Sequence, residues 1–166
     1  MNALTHVDQQ GNANMVDVSA KSESTRQAVA EGFVYMSEET IQQVVEHTNR
    51  KGDVLTTAKI AGIMAAKRCA DLIPLCHPLM LSKVDVDFEV QAEHGRIRTT
   101  AMCKLTGKTG VEMEALTAVS VATLTLFDMC KASDPSMIID GIKVLNKIGG
   151  KSGDWNYPNL DKETEV

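Results

Sequence analysis

Polar and apolar positions alternate most cleanly at Val84, Val86, Phe88 and Val90, which share one side of an extended chain, while Asp85, Asp87 and Glu89 share the other. A period of two marks a strand with one buried face. Glu93-His94-Gly95 makes a turn, and Ile97, Thr99, Ala101, Cys103 and Leu105 then repeat the pattern facing inward, so the two runs form a hairpin. Upstream, Ala28 to Met36 reads as a strand. Ser37 is placed to cap a helix running to about His47, with Glu38 and Glu39 at the positive end of its dipole. Lys51-Gly52-Asp53 interrupts the chain, and Asp53 can cap a second helix that runs to about Ala70. A long helix covers roughly Ala115 to Ala132, and a last strand runs from Ile142 to Ile148.

The order is strand, helix pair, strand, strand, helix, strand. With the helix pair counted as one crossover, this is the α+β, ferredoxin-like (split βαβ) pattern, an antiparallel sheet with helices on one face. Residues 1–25 are polar and read as a flexible N-terminal arm, 26–149 as a single catalytic domain, and 150–166 as a flexible tail.

Two helices carry too little charge for a monomer. From Ala115 to Cys130 the only charged residue is Asp128, and from Val54 to Ala66 the only one is Lys59. A helix apolar all round is buried on all sides, so other subunits are expected to cover these two. Both are too short and too dotted with Thr, Ser and Lys to be read as membrane spans.

Composition narrows the function. The 166 residues suffice for one domain with a core. Aromatics make up 4% and the net charge is −5, which disfavours a stacking surface for single strands and general nucleic-acid binding. The four cysteines show no metal-site spacing, and no signal peptide is recognisable at the start, so a reduced, cytoplasmic protein is expected.

Candidate chemistry sits in a few places. Leu72-Ile73-Pro74-Leu75-Cys76-His77-Pro78-Leu79 embeds a thiol and an imidazole in an apolar run, and the prolines hold Ile73 and His77 extended. This loop can position a substrate, carry a metal pair or a Cys-His dyad, or simply bury a satisfied histidine. The dyad is disfavoured because adjacent side chains of an extended segment point apart. Asp128 is a carboxylate in an apolar helix with Lys131 three residues on, and reads as a functional pair or as an exposed ion pair at a helix end. Glu112 and Glu114 flank Met113; if the chain there is extended, both carboxylates point the same way, and otherwise they are the acidic start of a helix. Gly107-Lys108-Thr109-Gly110 lacks the earlier glycine of a Walker loop, because Met102 stands there, and reads as a turn with at most a small anion nest. Arg26, Lys51, Lys67, Lys147 and Lys151 are each ordinary surface cations alone, and together can line a cationic pocket for a polyphosphate.

Several ordered blocks resemble one family. Met15-Val16-Asp17-Val18-Ser19, Lys51-Gly52-Asp53, Leu72 to Leu79, Leu105 through Thr117, Asp128-Met129-Cys130-Lys131-Ala132 and Gly149-Gly150-Lys151-Ser152-Gly153 are similar to cyclic pyranopterin monophosphate synthase, the molybdenum cofactor biosynthesis protein C family. The resemblance runs from about Leu4 to Asp154. It implies a lyase that converts (8S)-3′,8-cyclo-7,8-dihydroguanosine 5′-triphosphate to cyclic pyranopterin monophosphate with release of pyrophosphate. It also implies the ferredoxin-like fold and a homohexamer, a trimer of dimers, with pockets between subunits. By the same resemblance Lys51, Lys131 and Asp128 are catalytic. Leu75, Cys76, His77, Glu112, Met113 and Glu114 contact substrate, and Arg26, Lys67 and Lys147 lie near its triphosphate. No metal ligand or resident cofactor is implied, with Mg²⁺ a companion of the triphosphate at most. A nucleotide-binding regulatory module and a metal-dependent phosphohydrolase remain as alternatives from other classes.

Overall fold

The computed structural model describes residues 6–8 and 10–158; the rest of the expected arm and tail, 1–5, 9 and 159–166, lies outside the described residues. The elements are β1 (Ser24–Tyr35), α1 (Glu38–Val45), α2 (Val54–Ala66), α3 (Cys69–Leu72), β2 (Lys83–Gln91), β3 (Arg96–Gly107), α4 (Glu112–Cys130), β4 (Ile138–Ile148) and β5 (Trp155–Asn156). They form one antiparallel sheet in the order β2-β3-β1-β4-β5, with α2 and α4 packed on it. The first four strands in that order, with a hairpin between β2 and β3 and helical crossovers from β1 to β2 and from β3 to β4, are the ferredoxin-like arrangement expected from the element order.

The alternation explains which face is covered. Ile97, Thr99, Ala101, Cys103 and Leu105 of β3 are all buried beneath the helices. Their register partners on β1 include Ala28, Ala30 and Val34, also fully buried. Small residues there let α4 come close with its own Ala115, Ala118, Val119 and Ala122. A tight aliphatic core of this kind accounts for the low aromatic content. By length and composition α4 could cross a membrane, but 56% of its apolar window is buried inside the domain.

The caps are where the chain pattern put them. The Ser37 side chain accepts from Thr40 N and that of Asp53 from Thr56 N. The second helix stops at Ala66, short of residue 70, and a separate short helix follows; Pro74 forces Ile73 into extended geometry and ends it. The long helix starts at Glu112 instead of Ala115, so Glu112 and Glu114 lie in a first helical turn and not on one side of an extended segment. The last strand begins at Ile138, and β5, only two residues long, is too short to show as alternation.

Two features position chemistry. Ile41 and Val44 of α1, and Val54 and Ala58 of α2, share a core cluster with Leu126, Met129 and Cys130. The loop between α1 and α2 is thereby held at the C-terminal end of α4. Asp134, just past that helix, accepts from the backbone N of Ser37 at 2.8 Å and locks α1 to the same end.

Candidate functional site

The C-terminal end of α4 carries the first constellation. In the α1–α2 loop the Asn49 side chain accepts from Lys51 N at 2.9 Å, and its Nδ2 points to Cys130 Sγ at 3.8 Å. Lys51 is thereby aimed along the helix end. Its Nζ donates to the Asp128 carbonyl at 2.7 Å and to Asp128 Oδ2 at 3.1 Å. Lys131 Nζ takes the other carboxylate oxygen, Oδ1, at 2.7 Å. The last carbonyls of a helix lack partners within it and attract cations, so Lys51 satisfies an orphan acceptor while pairing a carboxylate. Lys131 foremost, and then Lys51, hold the Asp128 carboxyl below the usual carboxylate range. Two ammonium groups thus converge on one solvent-open carboxylate, an arrangement able to exchange protons with a bound molecule, unlike a buried structural pair.

The N-terminal end of α4 carries the second. A cavity of about 400 Å³ is walled by Lys21, Arg26, Lys108, Glu112, Lys147 and Lys151. A neighbouring cavity of about 250 Å³ is lined by Leu75, Cys76, His77, Met113, Glu114 and Val16. Lys21, Thr109, Gly110 and Glu112 belong to both. Arg26 and Lys147 reach the site from β1 and β4. Lys147 pairs with Glu112 at 3.2 Å. The Arg26 Nε is buried without a hydrogen-bond partner, a donor left over at a cationic wall. Gly150 lies beside the guanidinium at φ +93°, a backbone conformation that other residues rarely adopt, which explains a glycine on this loop.

Burial, with Glu112 nearby, pushes the Glu114 carboxyl up. Cys76 and His77 turn to different partners: the Cys76 thiol faces Cys69, and His77 Nε2 lies 2.7 Å from the Val16 carbonyl. Burial raises Cys76 as well, which does not suit a thiolate nucleophile. Among the described residues no group of three His, Cys, Asp or Glu side chains is arranged to hold a metal ion.

The structure therefore sorts the sequence candidates into two sets. Lys51, Asp128 and Lys131 meet at one end of α4. Arg26, Leu75, Cys76, His77, Glu112, Met113, Glu114 and Lys147 meet at the other. Asp128 lies sixteen positions after Glu112 on the same helix, which at about 1.5 Å per position is roughly 24 Å. Lys67 opens on a third, smaller cavity on the far side of Glu114. The sequence alone does not mark Lys21 or Lys108 as binding residues, because Lys108 lies in a segment that reads as a turn and Lys21 in the expected arm. Only their approach to Arg26 and Lys147 marks them.

The model of the MoaC family matches this chain over residues 15–150. That span contains every one of the site residues above except Lys151. It covers most of the chain, so this protein belongs to the MoaC family, whose members are enzymes of molybdenum cofactor biosynthesis.

Proposed function

We propose that this chain converts (8S)-3′,8-cyclo-7,8-dihydroguanosine 5′-triphosphate to cyclic pyranopterin monophosphate and pyrophosphate, as a phosphorus–oxygen lyase. The observation that carries this reading is the pairing of an acid–base unit, Lys51–Asp128–Lys131, with a cationic cavity that also holds carboxylates. The rearrangement of a purine-derived ring system moves several protons, which needs positioned acids and bases. Closing the cyclic phosphate needs a sugar-derived hydroxyl to attack the α-phosphorus while pyrophosphate departs, and the leaving charge must be neutralised.

In this scheme Lys51 and Lys131 donate and recover protons, and Asp128 orients both. Arg26 and Lys147 hold the triphosphate. Glu112 and Glu114 accept from the N–H edge of the base, while Leu75, Cys76 and Met113 supply the wall against which it lies. Mg²⁺ in the reaction would travel on the triphosphate, since the side chains of the described residues offer no cage for it.

The separation of roughly 24 Å along α4 is too long for one substrate to touch both constellations of a single chain. The reading therefore places the Lys51–Asp128–Lys131 unit of one copy over the cavity of another, within a homohexamer built as a trimer of dimers. Exposed apolar residues on the outer helix faces, Ile60, Met64 and Leu124, give the copies something to bury.

The direct test incubates the pure protein with the cyclised nucleotide and follows the pterin product by mass spectrometry and pyrophosphate by a coupled assay. A shared site is tested by co-refolding two inactive variants, Lys51→Ala and Arg26→Ala. Mixed assemblies recover part of the parental rate if the two ends of α4 cooperate between copies. No recovery, with mixed assemblies confirmed by native mass spectrometry, would rule out the shared arrangement.

A further inference from the structure

Residues 15–22 run along the cavities as a built segment. Val16 and Val18 line the smaller cavity, and Lys21 lines both. The segment folds on itself: Asp17 Oδ1 accepts from Ser19 N at 2.8 Å, and Lys21 N donates to the Val18 carbonyl at 3.0 Å. Ahead of it, Val7 bridges Ala13, and the Asp8 carboxylate accepts from Gln10 N and Asn12 N.

Two cavity side chains grip this segment, and both do so by its backbone. His77 Nε2 lies 2.7 Å from the Val16 carbonyl, and Lys108 Nζ donates to the Ser19 carbonyl at 2.9 Å. A carbonyl only accepts, so His77 Nε2 must carry the hydrogen. In the neutral ring this leaves Nδ1 as the acceptor. The Nε2 of His77 is therefore committed to the chain and not available to a substrate. Lys108 also faces Asp17, whose carboxyl is held below the usual range chiefly by Ser19, with Lys108 adding to it.

We infer that residues 15–22 are a strap that roofs the cavity, and that His77 and Lys108 are positioning residues that hold it through the Val16 and Ser19 carbonyls. Releasing the strap withdraws the Val16–Val18 wall and the Lys21 cation together. His77 then acts on substrate through the strap, and its donor position is what matters. This rests on the reading of the cavity as the substrate site only for its kinetic consequence.

The test uses the full chain and hydrogen–deuterium exchange at the Ser19 and Lys21 amides, without any ligand. In His77→Asn, whose amide reproduces the Nδ1 position, those amides exchange about tenfold faster, the scale of one lost hydrogen bond. In His77→Gln, whose amide nitrogen can occupy the Nε2 position, protection returns to near the parental level. Lys108→Met accelerates exchange at Ser19 by a similar factor. Parental protection in His77→Asn, or equal loss in the Asn and Gln variants, overturns the strap. The kinetic arm follows pyrophosphate release: His77→Asn and Lys108→Met raise KM severalfold with kcat held within about twofold, and His77→Gln restores KM. A fall in kcat with unchanged KM overturns the positioning role. Because exchange is read without substrate, failure of the proposed reaction leaves the strap standing or falling on its own.

Discussion

Lys51 Nζ lies 2.7 Å from the Asp128 carbonyl oxygen and 3.1 Å from its Oδ2, although 77 positions separate the two residues. Lys131 Nζ completes the unit from the same helix, 2.7 Å from Oδ1. All three side chains are open to solvent, so their pairing adds little to folding. Lys51→Ala, Asp128→Asn and Lys131→Ala are each expected to lower pyrophosphate release at least a hundredfold, in the range of a lost acid–base group. Circular dichroism and thermal midpoints of the variants should stay close to the parent. Turnover near the parental rate in all three would remove the unit from the mechanism.

Glu114 is 4% exposed, and burial raises its carboxyl above the ordinary 4.5. The folded chain thus holds a proton there that the unfolded chain releases. The stability linked to that proton is complete below 4.5 and is lost as pH rises through the raised folded value. Glu114→Gln keeps the shape and removes the titration. Its melting temperature, relative to the parent, should be higher at pH 7 than at pH 4. An unchanged difference between the two pH values would show that Glu114 does not titrate in this way.

The buried thiols should be unreactive. Desolvation pushes Cys69 up to about 11 and Cys103 to about 12, so neither forms thiolate near neutral pH. Native protein treated with iodoacetamide at pH 7.5 should label Cys76 first, because it alone of the four cysteines is not fully buried. Cys69 and Cys103 should label only after unfolding. Early alkylation of Cys103, read by peptide mass mapping, would contradict its burial under α4.

Gly62 is where α2 meets α4. A Cβ added there would lie 2.9 Å from the Ala118 carbonyl oxygen and 3.2 Å from the Ala122 Cβ. Alanine favours a helix by about 1 kcal/mol over glycine, but the clash is with backbone and cannot relax through a rotamer. Gly62→Ala should therefore destabilise by about 1–3 kcal/mol, the usual cost of overpacking, as measured by urea unfolding. A stabilised variant would mean that the two helices can separate without loss.

The fold was legible because it is written in local, repeating terms. Alternation from Val84 to Val90 and from Ile97 to Leu105 reflects the pleat of a strand, and Ser37 and Asp53 cap helices through bonds to residues three positions on. The helix limits were less legible. Glu112 and Glu114 fit either an extended segment or a first helical turn until Ala115 N is seen bonded to the Val111 carbonyl. β5 has no pattern of its own and exists through its pairing with Asn146 and Lys147.

The chain by itself determined the element order, the buried faces and the residue types that carry chemistry, since these depend on neighbours a few positions apart and on ordered motif blocks. Only the tertiary structure decided who meets whom. Shared core packing brings the Lys51 loop to Asp128 and sets the carboxylate between two ammonium groups. The length of α4 keeps that unit apart from the Arg26–Lys147 cavity, and a histidine and a lysine distant in sequence grip the backbone of residues 15–22. Contacts of that range follow from the packing of helices on a sheet, and no local period records them.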